Sequence, residues 1–167
     1  LLHFVRHGEV HNPERILYGR LDGYGLSGRG HQMAARSASA LATRPIAKIY
    51  ASPLQRAQES AAPLATDLGL PIETDERLNE GLNHFQGTRL SAARLLRDPS
   101  AWMALHNPFK PSWGEPYRDI AKRMMAVAED AWNSVEEGEV ALVTHQVAIW
   151  VMHRYVAGIP LPHLPSQ

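Results

Sequence analysis

Glu139-Val140-Ala141-Leu142-Val143-Thr144 is followed at once by His145. Its four apolar residues run without polar alternation. A strand buried on both faces reads this way, and such strands lie at the centre of parallel sheets. The flanking segments read as helices. Tyr117 to about Val135 places Ile120, Met124, Val127, Ala128 and Ala131 on one face, with Gly138 as its stop. A last helix is expected from roughly Val147 to Ala157, ending at Gly158.

Upstream the alternation repeats. Leu1 to Arg6 reads as a short buried strand, and a loop carrying Asn12, Pro13, Gly19, Asp22, Gly23 and Gly25 follows it. Ser27 is a candidate cap for an alanine-rich helix to about Leu41. Ile46 to Ala51 reads as a second strand. Ser52-Pro53 then reads as a helix entrance, a capping hydroxyl before a proline whose missing N–H costs nothing there. That helix is expected to end near Gly69, with Pro71 beyond. Pro71 to Leu78 reads as a third strand. Between Gly81 and Pro116 the prolines Pro99, Pro108, Pro111 and Pro116 separate short pieces, as in a loosely structured insertion. Strands alternating with helices predict an α/β sandwich around a mostly parallel sheet. With no internal repeat or linker, residues 1–167 are expected to form a single domain.

Composition narrows the function classes. Hydrophobic residues make up 44% of the 167 and charged residues 20%, the balance of a globular chain rather than a disordered one. Seventeen basic and seventeen acidic residues cancel, so no global field draws the chain to nucleic acid or an anionic membrane. An anionic ligand has to be recognised locally. Lysine is confined to Lys48, Lys110 and Lys122, so basic character rests on arginine, the better fork for phosphate. The absence of cysteine excludes disulfides, thiolate metal sites and cysteine nucleophiles. It is compatible with a reducing cytoplasm, the expected location. No apolar run approaches membrane-spanning length. The chain begins without methionine and stops at Gln167 in a proline-punctuated stretch, which leaves open an extension at either end.

Four chemically useful clusters fall at predicted strand ends, where parallel sheets place ligands. Arg6-His7-Gly8-Glu9 follows the first strand: a neutral imidazole is a competent nucleophile toward phosphorus, and Arg6 can neutralise phosphate charge. Ser52-Pro53-Leu54-Gln55-Arg56-Ala57 follows the second and puts Arg56 in the first turn of a helix, whose N-terminus attracts anions. Leu78-Asn79-Glu80 follows the third and offers a carboxyl group to protonate a leaving alkoxide. Val143-Thr144-His145 ends the fourth with a second imidazole. Any one of these is as readily a solvated turn, a surface charge or a structural histidine. Their conjunction favours one reaction, with nucleophile, phosphate-binding arginines, acid and charge-stabilising imidazole all present.

Taken together, Arg6-His7-Gly8-Glu9, Asn12, the Ser52–Ala57 stretch, Glu80 and His145 resemble the histidine phosphatase superfamily, the phosphoglycerate mutase-like proteins. The match spans nearly the whole chain in the expected order. It implies a three-layer α/β/α sandwich, a phosphohistidine at His7, and Arg6, Arg56 and His145 holding the phosphoryl group. It further implies that Asn12 assists in the same pocket, that Glu80 donates the proton, and that no metal or other cofactor takes part. Gly19 and Tyr18, with Arg15, are candidates for substrate contact. The nine histidines are otherwise scattered; the two pairs four apart, His3–His7 and His7–His11, run from a predicted strand into a glycine-containing loop rather than along a helix, so a metalloenzyme is not expected.

The chain departs from the family pattern in three places. Gln146 stands after His145 where glycine is usual, Gly81 to Gly87 is compressed, and the chain stops where relatives continue with further strand. Compactness places it nearer the phosphatases than the longer glycolytic mutases, with a small phosphorylated molecule as substrate. Mutase-type phosphoryl transfer and a non-catalytic phospho-ligand module are the alternatives. Trp102, Phe109, Trp113 and Tyr117 are candidates for the pocket mouth, or for packing the insertion. A neutral His7 and a protonated Glu80 together predict a bell-shaped pH profile.

Overall fold

The computed structural model describes residues 1–89 and 114–161. Among them the elements run β1 (Leu2–Arg6), α1 (Gly28–Leu41), β2 (Ile46–Ala51), α2 (Gln55–Leu68), β3 (Ile72–Thr74), a 3-10 turn (Glu76–Leu78), α3 (Tyr117–Asn133), β4 (Glu139–Thr144) and α4 (Gln146–Val156). The described strands form one sheet in the order β1-β4-β2-β3, with every pairing parallel. The fold is α/β. No helix among the described residues is long and apolar enough to cross a membrane.

The unbroken apolar run of β4 is explained by the layers. Val140 and Leu142 pack with Leu78, Ile120, Met124, Val127 and Val151, beneath α3 and α4. Ala141 and Val143 point the other way, to Ile49, Ala57, Ala61 and Leu64, beneath α1 and α2. Both faces of this strand are core, so neither can carry polar residues. Full burial of each Val or Leu contributes about 1.5–3 kcal/mol.

Ser27 caps α1 as expected, its Oγ accepting from the Gly30 amide at 3.0 Å. Gly69, with φ 65°, closes α2 in the left-handed conformation that glycine adopts without strain. Three expectations need correction. Ser52 does not cap α2: the helix begins at Gln55 behind Leu54 and has no side-chain cap hydrogen bond. The third strand is only Ile72–Thr74, because the Asp75 side chain accepts from the Arg77 amide and turns the chain into the 3-10 segment. Gly138 does not stop α3, which ends at Asn133; instead, with φ 95°, it turns the chain into β4. Trp102, Phe109, Trp113 and most of the 81–116 insertion lie outside the described residues. Tyr117 packs edge-on against Trp150, with ring centroids 5.6 Å apart.

Candidate active site

Three neighbouring strands end together. β1 delivers His7, β4 delivers His145 and β2 delivers Ser52. Backbone bonds tie these ends to one another, from the His7 amide to the Thr144 carbonyl and from the Ser52 amide to the Val143 carbonyl, each 3.0 Å. The rings of His7 and His145 lie 5.1 Å apart, centroid to centroid. Both residues are buried, as is Arg56 beside them.

Each imidazole has one nitrogen committed to the protein. The Nδ1 of His7 meets the Gly8 carbonyl at 2.7 Å. A carbonyl only accepts, so Nδ1 carries the hydrogen and Nε2 keeps its lone pair. Burial, helped by the cations of Arg56 and Arg6, pulls the His7 pKa down to about 4, against the opposing Gly8 bond. His145 Nε2 lies 2.8 Å from the Ser52 hydroxyl. Burial first, then Arg56 and the other nearby cations, hold its pKa down to about 2. Both rings are therefore neutral near pH 7.

Gly8 is glycine for a steric reason. A Cβ there would collide with the Gly30 carbonyl at the start of α1, and a Cβ on Gly30 would collide with the Glu9 carbonyl. The Gly8 amide also donates to Ser60 Oγ at 3.0 Å, which fastens this loop to α2.

Arg56 sits in the first turn of α2, only 1% exposed. Its Nη2 donates to the Gly19 carbonyl at 2.7 Å, and the Tyr18 ring covers its guanidinium at 4.8 Å. Gly19 has φ 46°, and the Gln86 side chain crowds the space a Cβ would take. Arg56 Nε and His145 Nδ1 are buried polar atoms without a hydrogen-bond partner among the described residues. Leaving such groups unpaired costs about 1–3 kcal/mol each.

Glu80 follows the 3-10 turn. Its Oε1 accepts from the Gly81 amide at 2.9 Å, and the Val147 amide in the first turn of α4 also donates to the carboxylate. Burial nevertheless raises its pKa above the ordinary carboxylate range, outweighing these amides and the cations of Arg56 and Arg123. The Arg56 charge acts on His7, His145 and Glu80, which all lie within electrostatic reach of this one guanidinium.

The remaining candidates stand apart from this group in different ways. Arg6 ends β1 in register with Thr144 and is exposed, close enough to act on His7 through its charge. The Asn12 amide is engaged within its own loop: it donates to the Ile16 carbonyl at 2.8 Å and accepts from the Ile16 amide at 3.0 Å. Arg15 is exposed, with φ 53°. Gln146 opens α4 and is also exposed.

Two groups of supporting residues escaped the sequence reading. Ser52 Oγ donates to Asn79 Oδ1 at 2.8 Å while touching His145; the motif contained the serine, but a capping role fitted it equally well. The second group surrounds Glu115, which binds Arg20 Nη2 at 2.9 Å and Arg123 Nε at 2.8 Å. Arg20 Nε in turn donates to the Glu80 carbonyl at 2.6 Å. Nothing in the local sequence signals a cluster spanning Arg20, Glu80, Glu115 and Arg123.

Comparison with known proteins identifies the family. An uncharacterized protein of Mycobacterium tuberculosis is 50% identical over 167 residues, covering 99% of this chain and 83% of its own. The structure of a mycobacterial glucosyl-3-phosphoglycerate phosphatase in complex with VO3 superposes with a TM-score of 0.77 at 29% identity, over 94% of this chain and 80% of that one. Bacillus stearothermophilus YhfR superposes with a TM-score of 0.83 at 30% identity, over 99% and 84%. The family model for the histidine phosphatase superfamily, branch 1, matches residues 2–166, and the chain belongs to that superfamily.

Proposed function

We propose that this protein hydrolyses a phosphate monoester through a phosphohistidine at Nε2 of His7, with Glu80 as proton donor. The observation that carries the reading is a pair of buried atoms beside His7, Arg56 Nε and His145 Nδ1, that have no hydrogen-bond partner among the described residues. A tetrahedral oxyanion placed against them supplies the missing acceptors. It also meets the charge of Arg56, and of Arg6 at the rim.

The chemistry follows from the protonation states. The Nε2 lone pair attacks phosphorus while the ester P–O bond breaks, and Glu80 gives its proton to the departing oxygen. Glu80, now a carboxylate, takes a proton from water as that water attacks phosphorus and the P–N bond breaks. Inorganic phosphate leaves, His7 is neutral again and Glu80 is reprotonated. Arg56, Arg6 and His145 stabilise the charge spread over the equatorial oxygens, a positioning and electrostatic task. The reading assigns no metal or other cofactor. Asn12 would act on this pocket by shaping the first loop, and Gly19 by fixing Arg56 through its carbonyl.

Hydrolysis is favoured over return of the phosphoryl group to a second substrate by the phosphatase among the relatives. The near-neutral chain suits a small phosphorylated molecule, and the cysteine-free composition suits a cytoplasmic setting. Phosphate release from p-nitrophenyl phosphate, compared between the wild type and His7→Ala, tests the reading. Loss of release in the variant, with a trapped acid-labile phosphohistidine in the wild type, is expected. Equal release from both would overturn it. Binding of phosphate without turnover would assign a ligand-binding module, and transfer to an added alcohol in preference to water a mutase.

A further inference from the structure

His145, Ser52 and Asn79 form a chain in which proton positions are coupled. The Ser52 hydroxyl has a single hydrogen and lies within 2.8 Å of both His145 Nε2 and the Asn79 side-chain amide. With the amide oxygen of Asn79 facing Ser52, the hydroxyl donates to Oδ1. His145 must then supply the hydrogen between Nε2 and Oγ. A neutral ring has only one N–H, so Nδ1 is left with a lone pair. Nδ1 is the ring nitrogen without a partner among the described residues, and a lone pair there repels a phosphate oxygen. Turning the amide by 180° reverses every bond. The Asn79 nitrogen then donates to Oγ, the hydroxyl donates to Nε2, and the ring proton resides on Nδ1, where it can be given to the anion. The ring holds one proton in both forms, lost from Nε2 and regained on Nδ1 by exchange with water. Asn79 suits this task because an amide offers a donor and an acceptor of nearly the same shape.

We propose that Asn79 is a positioning residue that decides, through Ser52, which ring nitrogen of His145 is protonated, and that an oxyanion selects the form with the hydrogen on Nδ1. The proposal rests on the functional reading above, in that His145 faces a phosphoryl group. Burial and the neighbouring Arg56 cation support it by keeping the ring neutral, the state in which the choice of nitrogen matters.

Two opposed substitutions test it, with orthovanadate as the probe. Asn79→Asp offers only acceptors, so Ser52 always donates to it and His145 stays protonated on Nε2. Vanadate affinity should fall by about tenfold or more. Asn79→Ala frees the hydroxyl to donate to Nε2, and affinity should stay within about threefold of the wild type. A purely structural role would make alanine at least as harmful as aspartate. Long-range proton–nitrogen NMR of ring-labelled protein reads the tautomer directly and separates it from the added charge. The His145 proton should sit on Nδ1 in vanadate-bound wild type and Asn79→Ala, and on Nε2 in Asn79→Asp. A vanadate-bound wild type with the proton on Nε2, or equal losses in both variants, would overturn the proposal while leaving the phosphatase reading intact. A wild type that neither binds vanadate nor releases phosphate would overturn both.

Discussion

The imidazole rings of His7 and His145 are 5.1 Å apart and inclined by 59°, although 138 positions (145 − 7) separate them in the chain. The proposed reading places a single tetrahedral anion against Nε2 of His7 and Nδ1 of His145. If His145 donates to the transferring group, His145→Ala should lower kcat by about 10²–10³-fold, the usual loss of one such donor. Steady-state kinetics on an aryl phosphate gives the answer.

The pH profile follows from two shifts of opposite effect. His7 must be neutral, so activity should rise as pH climbs through about 4. Glu80 must be protonated, so activity toward alkyl esters should fall once pH passes its raised pKa. Glu80→Gln should remove the alkaline limb and slow alkyl esters far more than aryl esters, whose leaving groups barely need a proton. A variant that slows both equally would count against the donor role.

Glu115 holds two guanidinium groups at once, and one of them fixes the Glu80 backbone. The three side chains are 14–26% exposed, so removing the carboxylate should cost less than the ~3–5 kcal/mol of breaking a fully buried pair. About 2 kcal/mol is expected for Glu115→Ala. Urea unfolding reads this loss. Activity on alkyl esters should drop with it, because Arg20 no longer steadies Glu80.

Two glycines of α1 make a matched pair. Gly30→Ala drives a methyl group into the Glu9 carbonyl, a backbone atom that cannot move aside, and should destabilise by about 2–3 kcal/mol. Gly28→Ala meets open space at the first position of the same helix, and should be neutral or stabilising by up to about 1 kcal/mol. Chemical denaturation of both variants distinguishes a local clash from a general intolerance of alanine.

Far from the site, Glu139 accepts from Arg44 and contacts His3. Arg44 first, then His3, lowers its pKa from the ordinary 4.5 to about 2. A depressed folded pKa gives stability that is complete above the unfolded value and is lost as pH falls toward the folded one. The wild type should thus lose stability between about pH 4.5 and 2 more steeply than Glu139→Gln. Parallel slopes of unfolding midpoint against pH in the two proteins would contradict this.

Much of the fold is legible in the sequence itself, for a local reason. The run Val140–Val143 cannot be a half-exposed strand, because neither face carries a polar residue. The spacing of Ile120, Met124, Val127 and Ala131 suits only one side of a helix. Glycine marks several of the turns, as at Gly69 and Gly138. These are preferences of neighbours for one another, written over a few residues. The strand-end positions of His7 and His145, and the place of Arg56 in the first turn after β2, follow from them in a parallel sheet; Glu80 does not, because β3 stops at Thr74 and a 3-10 turn intervenes.

What a short stretch could not express is where each polar atom finds its partner. Ser52 looked like a helix cap because a hydroxyl before proline caps helices in isolation; the packing of β4 beside β2 turned it to His145 and Asn79 instead. Arg20 reaches Glu80 and Glu115, 60 and 95 residues away. Such bonds form only after the sheet order β1-β4-β2-β3 has brought distant segments together. Burial follows from the same packing and removes the water that would otherwise level the energies of charged and neutral forms. The identities of the proposed reacting groups are thus set by primary structure, while their protonation and their partners depend on the assembled layers.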